Sequence, residues 1–337
     1  MAIVRNLTAY SSSQVLGIRW RTFFCAAGLV VFGLAGFAGC HQVYVKQGIP
    51  REVEERFEQA SWVPVMVGAI AREGAAEAEK TFDRAVFCKP ENPWAAEFDA
   101  ILAPLIIREV SEEDRNTTCG FGAITTFPDG TVVVEPDLPI VYYRRSAVSI
   151  HGAEHDQWTF VWAYPPALHA PTNEEGIRIR AVRMTLGTDG FPLVWEIFHV
   201  AQEYRYFFVS AALEQRAAEQ FGSPLPGRRF SIERDPNDNS IAIVVRVLDD
   251  GPVPMGPYVY LESDVLAITT VLCRCMPSQV DEIMKTESYE LLPVESLDAE
   301  FESRIMQVLH RLRGGGTGEM RVLRDDGNPA RLLRWPK

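Results

Sequence analysis

The chain has 337 residues and a formal net charge of −12 at pH 7, with 47% hydrophobic and 23% charged residues. This composition is typical of globular proteins and argues against an intrinsically disordered chain. Residues 1–40 contain three Arg and no acid, and residues 304–337 contain eight basic and three acidic residues, so the negative charge is concentrated between them. An acidic body argues against nucleic acid as a partner.

An apolar segment from Phe23 to Gly39 follows the basic N-terminus. Its 17 residues lie between the apolar region of a signal peptide, about 7–15 residues, and a spanning helix of about 20. The segment ends in Phe37-Ala38-Gly39-Cys40, which is similar to a bacterial lipobox with Phe in place of the usual Leu. Three interpretations stay open: a lipoprotein that begins at lipidated Cys40, an uncleaved anchor over residues 22–40, and a cleaved signal. Each predicts a chain outside the cytoplasm, because the positive charges precede the apolar segment.

Helix-forming residues dominate the next region. Glu52–Ala60 is charged and helix-prone, and Gly74–Arg84 is rich in Ala, Glu and Lys. Such residues have favourable helix propensity. The sequence therefore predicts an N-terminal helical region over residues 41–120.

From Phe121 onwards, β-branched and aromatic residues alternate with turn sequences such as Pro128-Asp129-Gly130 and Gly187-Thr188-Asp189-Gly190. Apolar residues at every second position of Phe191–Phe198 are typical of a strand with one buried face. A hairpin is also predicted from 229–233 and 241–248. The predicted strands are 123–127, 131–134, 140–150, 157–164, 177–186, 191–198, 204–209, 229–233, 241–248, 258–261 and 265–272.

Two helices are predicted within and after the strands. Ala211–Phe221 has Ser210 as its N-cap and Gly222 as its stop. Leu297–Arg313 places its apolar residues on one face. Together these elements predict an α+β fold with a mainly antiparallel sheet and with helices at both ends. The sheet domain covers residues 121–313, and residues 314–337 form a basic, flexible tail.

Four cysteines remain after the leader, Cys88, Cys119, Cys273 and Cys275. An even number in an oxidising compartment predicts two disulfides. Pairing Cys273 with Cys275 would close a strained ring, whereas the other pairings join the N-terminal region to the Cys273–Cys275 segment. Buried thiols and a thiolate metal site stay open, although the usual two-residue spacing between zinc ligands is absent.

The segment from His151 to Asp156 is predicted to be a hairpin turn with its two histidines on opposite strands. Cross-strand Cβ atoms lie about 4.5–5.5 Å apart, so His151 and His155 could chelate one metal ion. His155 or Asp156 could instead act in acid–base chemistry. The alternative is an exposed polar turn.

Trp158, Trp162 and Tyr164 belong to aromatic-rich predicted strands. Such residues form either a ligand groove and partner surface or a core. Both interpretations stay open at this point.

Motifs with a specific chemistry are missing from the sequence, including a P-loop, a nucleophile elbow and a helical zinc-protease motif. The sequence therefore favours a non-catalytic binding or assembly protein of the bacterial envelope, anchored in the membrane by residues 22–40. Its expected partner is an envelope protein or polymer. An extracytoplasmic metal-dependent enzyme or thiolate protein, and a small-molecule binder using the aromatic sheet, remain alternatives. No cofactor is predicted, and zinc is the alternative.

Overall fold

The computed structural model describes residues 82–91, 98–111, 118–166, 176–199, 205–235, 242–263, 266–274, 280–313, 322–324 and 327–337. All of them belong to the compact unit Ile49–Lys337. Cys40, the apolar segment before it and Cys275 lie outside the described residues. Within these ranges, no helix is long and apolar enough to cross a membrane.

Strands are the main element of the described residues. In chain order they are β1 Phe82–Pro90, β2 Leu105–Glu109, β3 Ala123–Thr126, β4 Val132–Glu135, β5 Ile140–Ile150, β6 Ala153–Tyr164, β7 Arg178–Leu186, β8 Pro192–His199, β9 Arg205–Ser210, β10 Ala242–Leu248, β11 Pro257–Leu261, β12 Ile268–Cys273, β13 Val280–Pro293, β14 Arg311–Arg313 and β15 Val322–Arg324. The helices are α1 Phe98–Leu102, α2 Ala211–Phe221 and α3 Ala299–His310.

Eleven strands form one sheet with the order β10-β9-β8-β7-β6-β5-β13-β1-β2-β11-β12. The strands from β5 to β9 pair antiparallel in sequence order. Strand β13 instead pairs in parallel with both β1 and β5, and so joins the two halves of the sheet. The protein is therefore β-rich with one large mixed sheet. The parallel pairs connect segments far apart in sequence, which local patterns do not reveal.

The prediction of a helical region over residues 41–120 is wrong for two of its segments, which are strands. Phe82–Pro90 and Leu105–Glu109 are strands that pair with one another, and β1 also pairs with β13. Helix propensity is a weak local preference that tertiary pairing overrides. The predicted strand 229–233 is also wrong, because only an isolated bridge from Glu233 to Leu333 forms there.

One face of the β5–β10 half, here called the inner face, packs against the β1, β2, β11 and β12 half in a single core. Trp158, Trp162 and Tyr164 belong to this core and are 5%, 0% and 0% exposed. The prediction of an aromatic partner surface is therefore wrong. Aromatic side chains on alternate positions of a strand share one face, and here a second layer of strands covers that face.

The opposite face of the same half, the outer face, is covered by helices. Helix α2 is confirmed: the Ser210 hydroxyl accepts the Leu213 N–H at 3.2 Å, and Gly222 donates to the Ala218 carbonyl. Helix α3 is confirmed at Ala299–His310, where the Asp298 carboxylate accepts the Phe301 N–H at 2.9 Å, but the predicted last turn, Arg311–Arg313, is strand β14. Side-chain oxygens at these positions satisfy backbone donors that the first helical turn leaves open.

The C-terminal segment, residues 327–337, also packs on the outer face. Leu333 is fully buried and Trp335 is 7% exposed. The Arg234 guanidinium donates to the carbonyls of Ala330 at 2.7 Å and Leu333 at 3.1 Å, and the Arg334 N–H donates to Ile232 O at 2.7 Å. The prediction of a flexible tail is therefore wrong for these residues, because apolar side chains bury surface against the sheet.

Candidate ligand cavity

A cavity of about 610 Å³ opens at one end of the outer face. Four parts of the chain form its walls: the β5–β6 hairpin end, the β7–β8 turn, helix α2 and the C-terminal segment. They are far apart in sequence and meet only because the sheet places both hairpin ends beside α2.

The β5–β6 turn carries His151 into the cavity wall. His151 has φ 50° and Gly152 has φ 85°, and positive φ at both central residues is typical of a two-residue type I′ hairpin turn. His155 lies on β6 and pairs with Val148, not with His151. The two histidines are therefore not cross-strand neighbours as predicted.

Both histidines contact Trp335 of the C-terminal segment. His151 Nε2 lies 3.2 Å from the Trp335 carbonyl oxygen. The His155 ring meets the Trp335 indole edge-on, with 5.8 Å between the ring centroids. The two histidines thus hold one wall of the cavity in place.

Hydrogen bonding assigns the tautomer of His155. Its Nδ1 lies 2.8 Å from the Leu186 carbonyl oxygen. A carbonyl oxygen only accepts, so Nδ1 carries a proton, and Nε2 is the acceptor in the tautomer that this bond selects. By the same reasoning His151 donates from Nε2 to Trp335. His155 therefore offers an acceptor to a ligand donor.

Asp156 does not join the two histidines. Adjacent strand residues point to opposite faces, and Asp156 pairs at 2.8 Å with Arg145, both side chains being exposed. Of the residues that the structure describes, no three His, Cys, Asp or Glu side chains could together hold a metal ion. The predicted set His151, His155 and Asp156 is therefore not brought together.

The β7–β8 turn places Asp189 in the cavity wall. The Gly187 N–H donates to Phe191 O at 2.7 Å, and Asp189 Oδ1 accepts the Phe191 N–H at 3.1 Å. A Cβ added at Gly187 would lie 2.5 Å from Asp189 Oδ1. Glycine at this position therefore leaves room for the carboxylate.

Positive charge comes from Arg216 on α2 and from Lys337, which both line the cavity. Behind them, the Asp250 carboxylate accepts the Ala212 N–H at 2.9 Å, at the start of α2. Burial raises the pKa of Asp250, and the negative charge of Asp189 raises it further. Hydrogen bonds from Ala212 and Ser210 and the positive charge of Arg216 lower it in part. Asp189 and Arg216 therefore lie within electrostatic reach of the same carboxylate.

The inner part of the cavity is apolar. Trp335, Leu193 and Ile150 line it and are only 7%, 6% and 2% exposed. Sequence reasoning missed Leu193, Arg216 and Trp335 as site residues. The one available signal was the apolar run Leu332-Leu333 just before Trp335, which a solvated tail does not need.

The cysteines lie elsewhere. Cys88 and Cys119 form a disulfide with 6.1 Å between their Cα atoms, so the two pairings that would join them to the Cys273–Cys275 segment do not form. Closing a loop between residues 31 apart stabilises a chain by roughly 3–4 kcal/mol in the loop-entropy description. Cys273 is buried on β12. The disulfide also removes Cys88 and Cys119 from any four-thiolate metal site.

No protein-family model, curated protein or solved structure matches this chain.

Proposed function

We propose that this protein is a non-catalytic binding protein of the bacterial envelope, anchored in the membrane by residues 22–40, and that its outer-face cavity takes a small polar ligand. The observation that carries this proposal is the composition of the cavity. Its volume of about 610 Å³ lies within the range of about 300–1,000 Å³ usual for small-molecule sites. An apolar inner wall with a few converging polar groups is also usual for such sites.

The hydrogen bonding of His155 favours binding over catalysis. A catalytic histidine is usually oriented by a carboxylate and faces a nucleophile. Here a backbone carbonyl, Leu186 O, orients His155, and Asp156 bonds to Arg145 on the opposite face. The arrangement supports a histidine that holds Trp335 and presents an acceptor to the ligand.

The Cys88–Cys119 bridge supports the proposed location. Disulfides form and persist mainly outside the reducing cytosol. The basic residues before Phe23–Gly39 favour the same orientation. The proposal therefore places the cavity on the outer side of the membrane.

A thermal-shift screen of the full chain in detergent against a library of small polar metabolites tests the binding function. A bound compound raises the unfolding temperature, and the rise grows with the logarithm of the ratio of ligand concentration to Kd. Ala153 is half-buried and lines the cavity, so Ala153→Trp fills the space and should abolish every shift.

The matched control is Ala147→Trp, because Ala147 is exposed in the same hairpin and does not line the cavity. This variant should keep the shifts of the wild-type protein. Binding that survives in Ala153→Trp, or a library without a single stabilising compound, would overturn the proposal.

Intact mass spectrometry of protein isolated from membranes tests the location. An acylated N-terminal Cys40, or an uncleaved chain that stays in the membrane fraction, would each support export with anchoring. In both cases Cys88 and Cys119 should resist alkylation until a reductant is added. A soluble cytosolic chain in which both thiols react at once would contradict the proposal.

A further inference from the structure

We infer that the ligand of this cavity is a small zwitterion that carries an amine and a carboxylate, of the size of an amino acid or a short peptide. This inference rests on the proposed function and adds the chemical class of the ligand. It comes from the opposite charges in the cavity walls: Asp189 belongs to the β7–β8 turn, whereas Arg216 and Lys337 belong to α2 and the C-terminal segment.

Asp189 is the group that receives the amine. Its Oδ1 is already held by the Phe191 N–H at 3.1 Å, and it lies over Gly187, where the absence of a Cβ makes room for it. A carboxylate held by the turn does not have to be ordered again when the ligand binds, which reduces the entropic cost of binding. Carboxylates accept several hydrogen bonds, so an ammonium can share the group with Phe191.

Arg216 and Lys337 receive the carboxylate of the ligand. Arg216 extends from α2, whose first turn is capped by Ser210, and the Lys337 backbone N–H donates to Gln220 Oε1 on the same helix at 2.7 Å. Helix α2 therefore carries Arg216 and holds the backbone of Lys337. A guanidinium binds a carboxylate through two parallel hydrogen bonds.

The apolar wall of the cavity suits the body of the ligand. Trp335 and Leu193 offer apolar surface, and His155 Nε2 offers an acceptor. An amide N–H of a peptide matches this acceptor, and a side chain or backbone carbon matches the apolar surface. The cavity thus combines side chains of both charges with apolar surface and a hydrogen-bond acceptor.

The same charges discriminate against ligands with a single charge. A lone anion would lie close to Asp189, and a lone amine would lie close to Arg216 and Lys337. Like-charge contacts of this kind are a source of specificity. Only a ligand with both charges pairs with all three side chains.

Calorimetric titration of the full chain tests the inference with free amino acids and Ala-Xaa dipeptides, each beside its N-acetylated and its C-amidated form. The free form should bind at least about tenfold more tightly than either derivative, the factor expected for one charge-assisted hydrogen bond. Amino acids and dipeptides are separate arms, so the size of the ligand follows from the same data.

Two variants assign the charges. Asp189→Asn should remove the preference for the free amine, and Arg216→Gln should weaken the preference for the free carboxylate. Asp129→Asn is the control, because Asp129 makes the same kind of turn contact outside the cavity. Asn is also a good turn former, so both Asp→Asn variants keep their turns.

Equal affinity for the free and derivatised forms, or no binding of any free form, would overturn the zwitterion. If other library compounds still raise the unfolding temperature and Ala153→Trp abolishes their effect, the binding function stands and the ligand class is wrong. If nothing binds, both are wrong.

Discussion

The turn at residues 127–131 and the turn at residues 187–191 have nearly the same backbone. In each, the N–H of the first residue donates to the carbonyl of the fifth, at 2.8 Å in the first turn and 2.7 Å in the second. The N–H of the fourth residue, a glycine in both, donates to the carbonyl of the first at 2.9 Å. Gly130 and Gly190 have φ of 83° and 82°. In each turn the Asp carboxylate accepts the N–H two residues on, at 2.9 and 3.1 Å.

Their surroundings differ. The first turn joins the two-stranded sheet of β3 and β4 and exposes 48% of Phe127. The second lies beside α2 and the C-terminal segment. Together with these two elements, its Asp189 lines the cavity. The comparison teaches that turn chemistry is local and repeats within one chain, whereas a site requires other elements to pack around the turn.

The largest expected effect comes from weakening the packing of the C-terminal segment, which distinguishes the surroundings of the second turn from those of the first. Leu333 is fully buried in the C-terminal segment, and Leu333→Ala should lower the free energy of unfolding by about 2–5 kcal/mol. It should also weaken ligand binding, because Trp335 loses its support. Chemical denaturation and the thermal-shift assay measure the two effects.

Leu138→Ala is the control for this variant, since Leu138 is 55% exposed. It should change stability by no more than about 0.5 kcal/mol. If Leu333→Ala unfolds like the control and still binds ligand, the C-terminal segment is not what makes the second turn a site.

Gly130→Ala and Gly190→Ala test whether the two turns are equal in backbone energy. A left-handed conformation costs an L-residue roughly 1–2 kcal/mol, and no described atom lies within 4 Å of a Cβ added at either glycine. Both variants should therefore lose the same stability in chemical denaturation. A difference above about 1 kcal/mol would show that packing around the second turn strains its backbone.

Gly187→Ala sharpens the comparison at a position where the turns differ. The added Cβ would lie 2.5 Å from Asp189 Oδ1, so the carboxylate must move and lose the Phe191 N–H. Stability should fall by about 0.5–1.5 kcal/mol, the contribution of one hydrogen bond. Calorimetry should show weaker binding of the free amine, as in Asp189→Asn; unchanged affinity would place the amine elsewhere.

The smallest effect is the pH dependence of the first turn. Hydrogen bonds from Thr131 hold the pKa of Asp129 below its ordinary value of 3.8. A lowered pKa in the folded state means that the carboxylate stabilises the fold above the unfolded pKa and loses this effect as pH falls through the folded pKa. The stability advantage over Asp129→Asn should therefore shrink between about pH 5 and pH 2. Denaturation curves at several pH values measure it, and an advantage that grows on acidification would contradict the assignment.

Local sequence signals predicted α2, α3 and the Asp-Gly turns correctly. Ser210, Gly222, Asp129 and Asp189 act through hydrogen bonds or backbone angles within a few residues, so their neighbours in sequence suffice. The same signals failed for β1, because its partner β13 lies about 200 residues away. They also failed for Trp335, since a short apolar run does not reveal which surface it covers.

The sequence by itself determined the elements whose energetics are local: capped helices, alternating strands and turns with glycine at positive φ. Its apolar segment Phe23–Gly39 and its six cysteines predict a location outside the cytoplasm. The tertiary structure alone decided which cysteines meet, which aromatic side chains are buried and which turn becomes a cavity wall. Each of these depends on contacts between residues distant in the chain. Such contacts follow from the packing of whole strands and helices, and no short stretch of sequence encodes them.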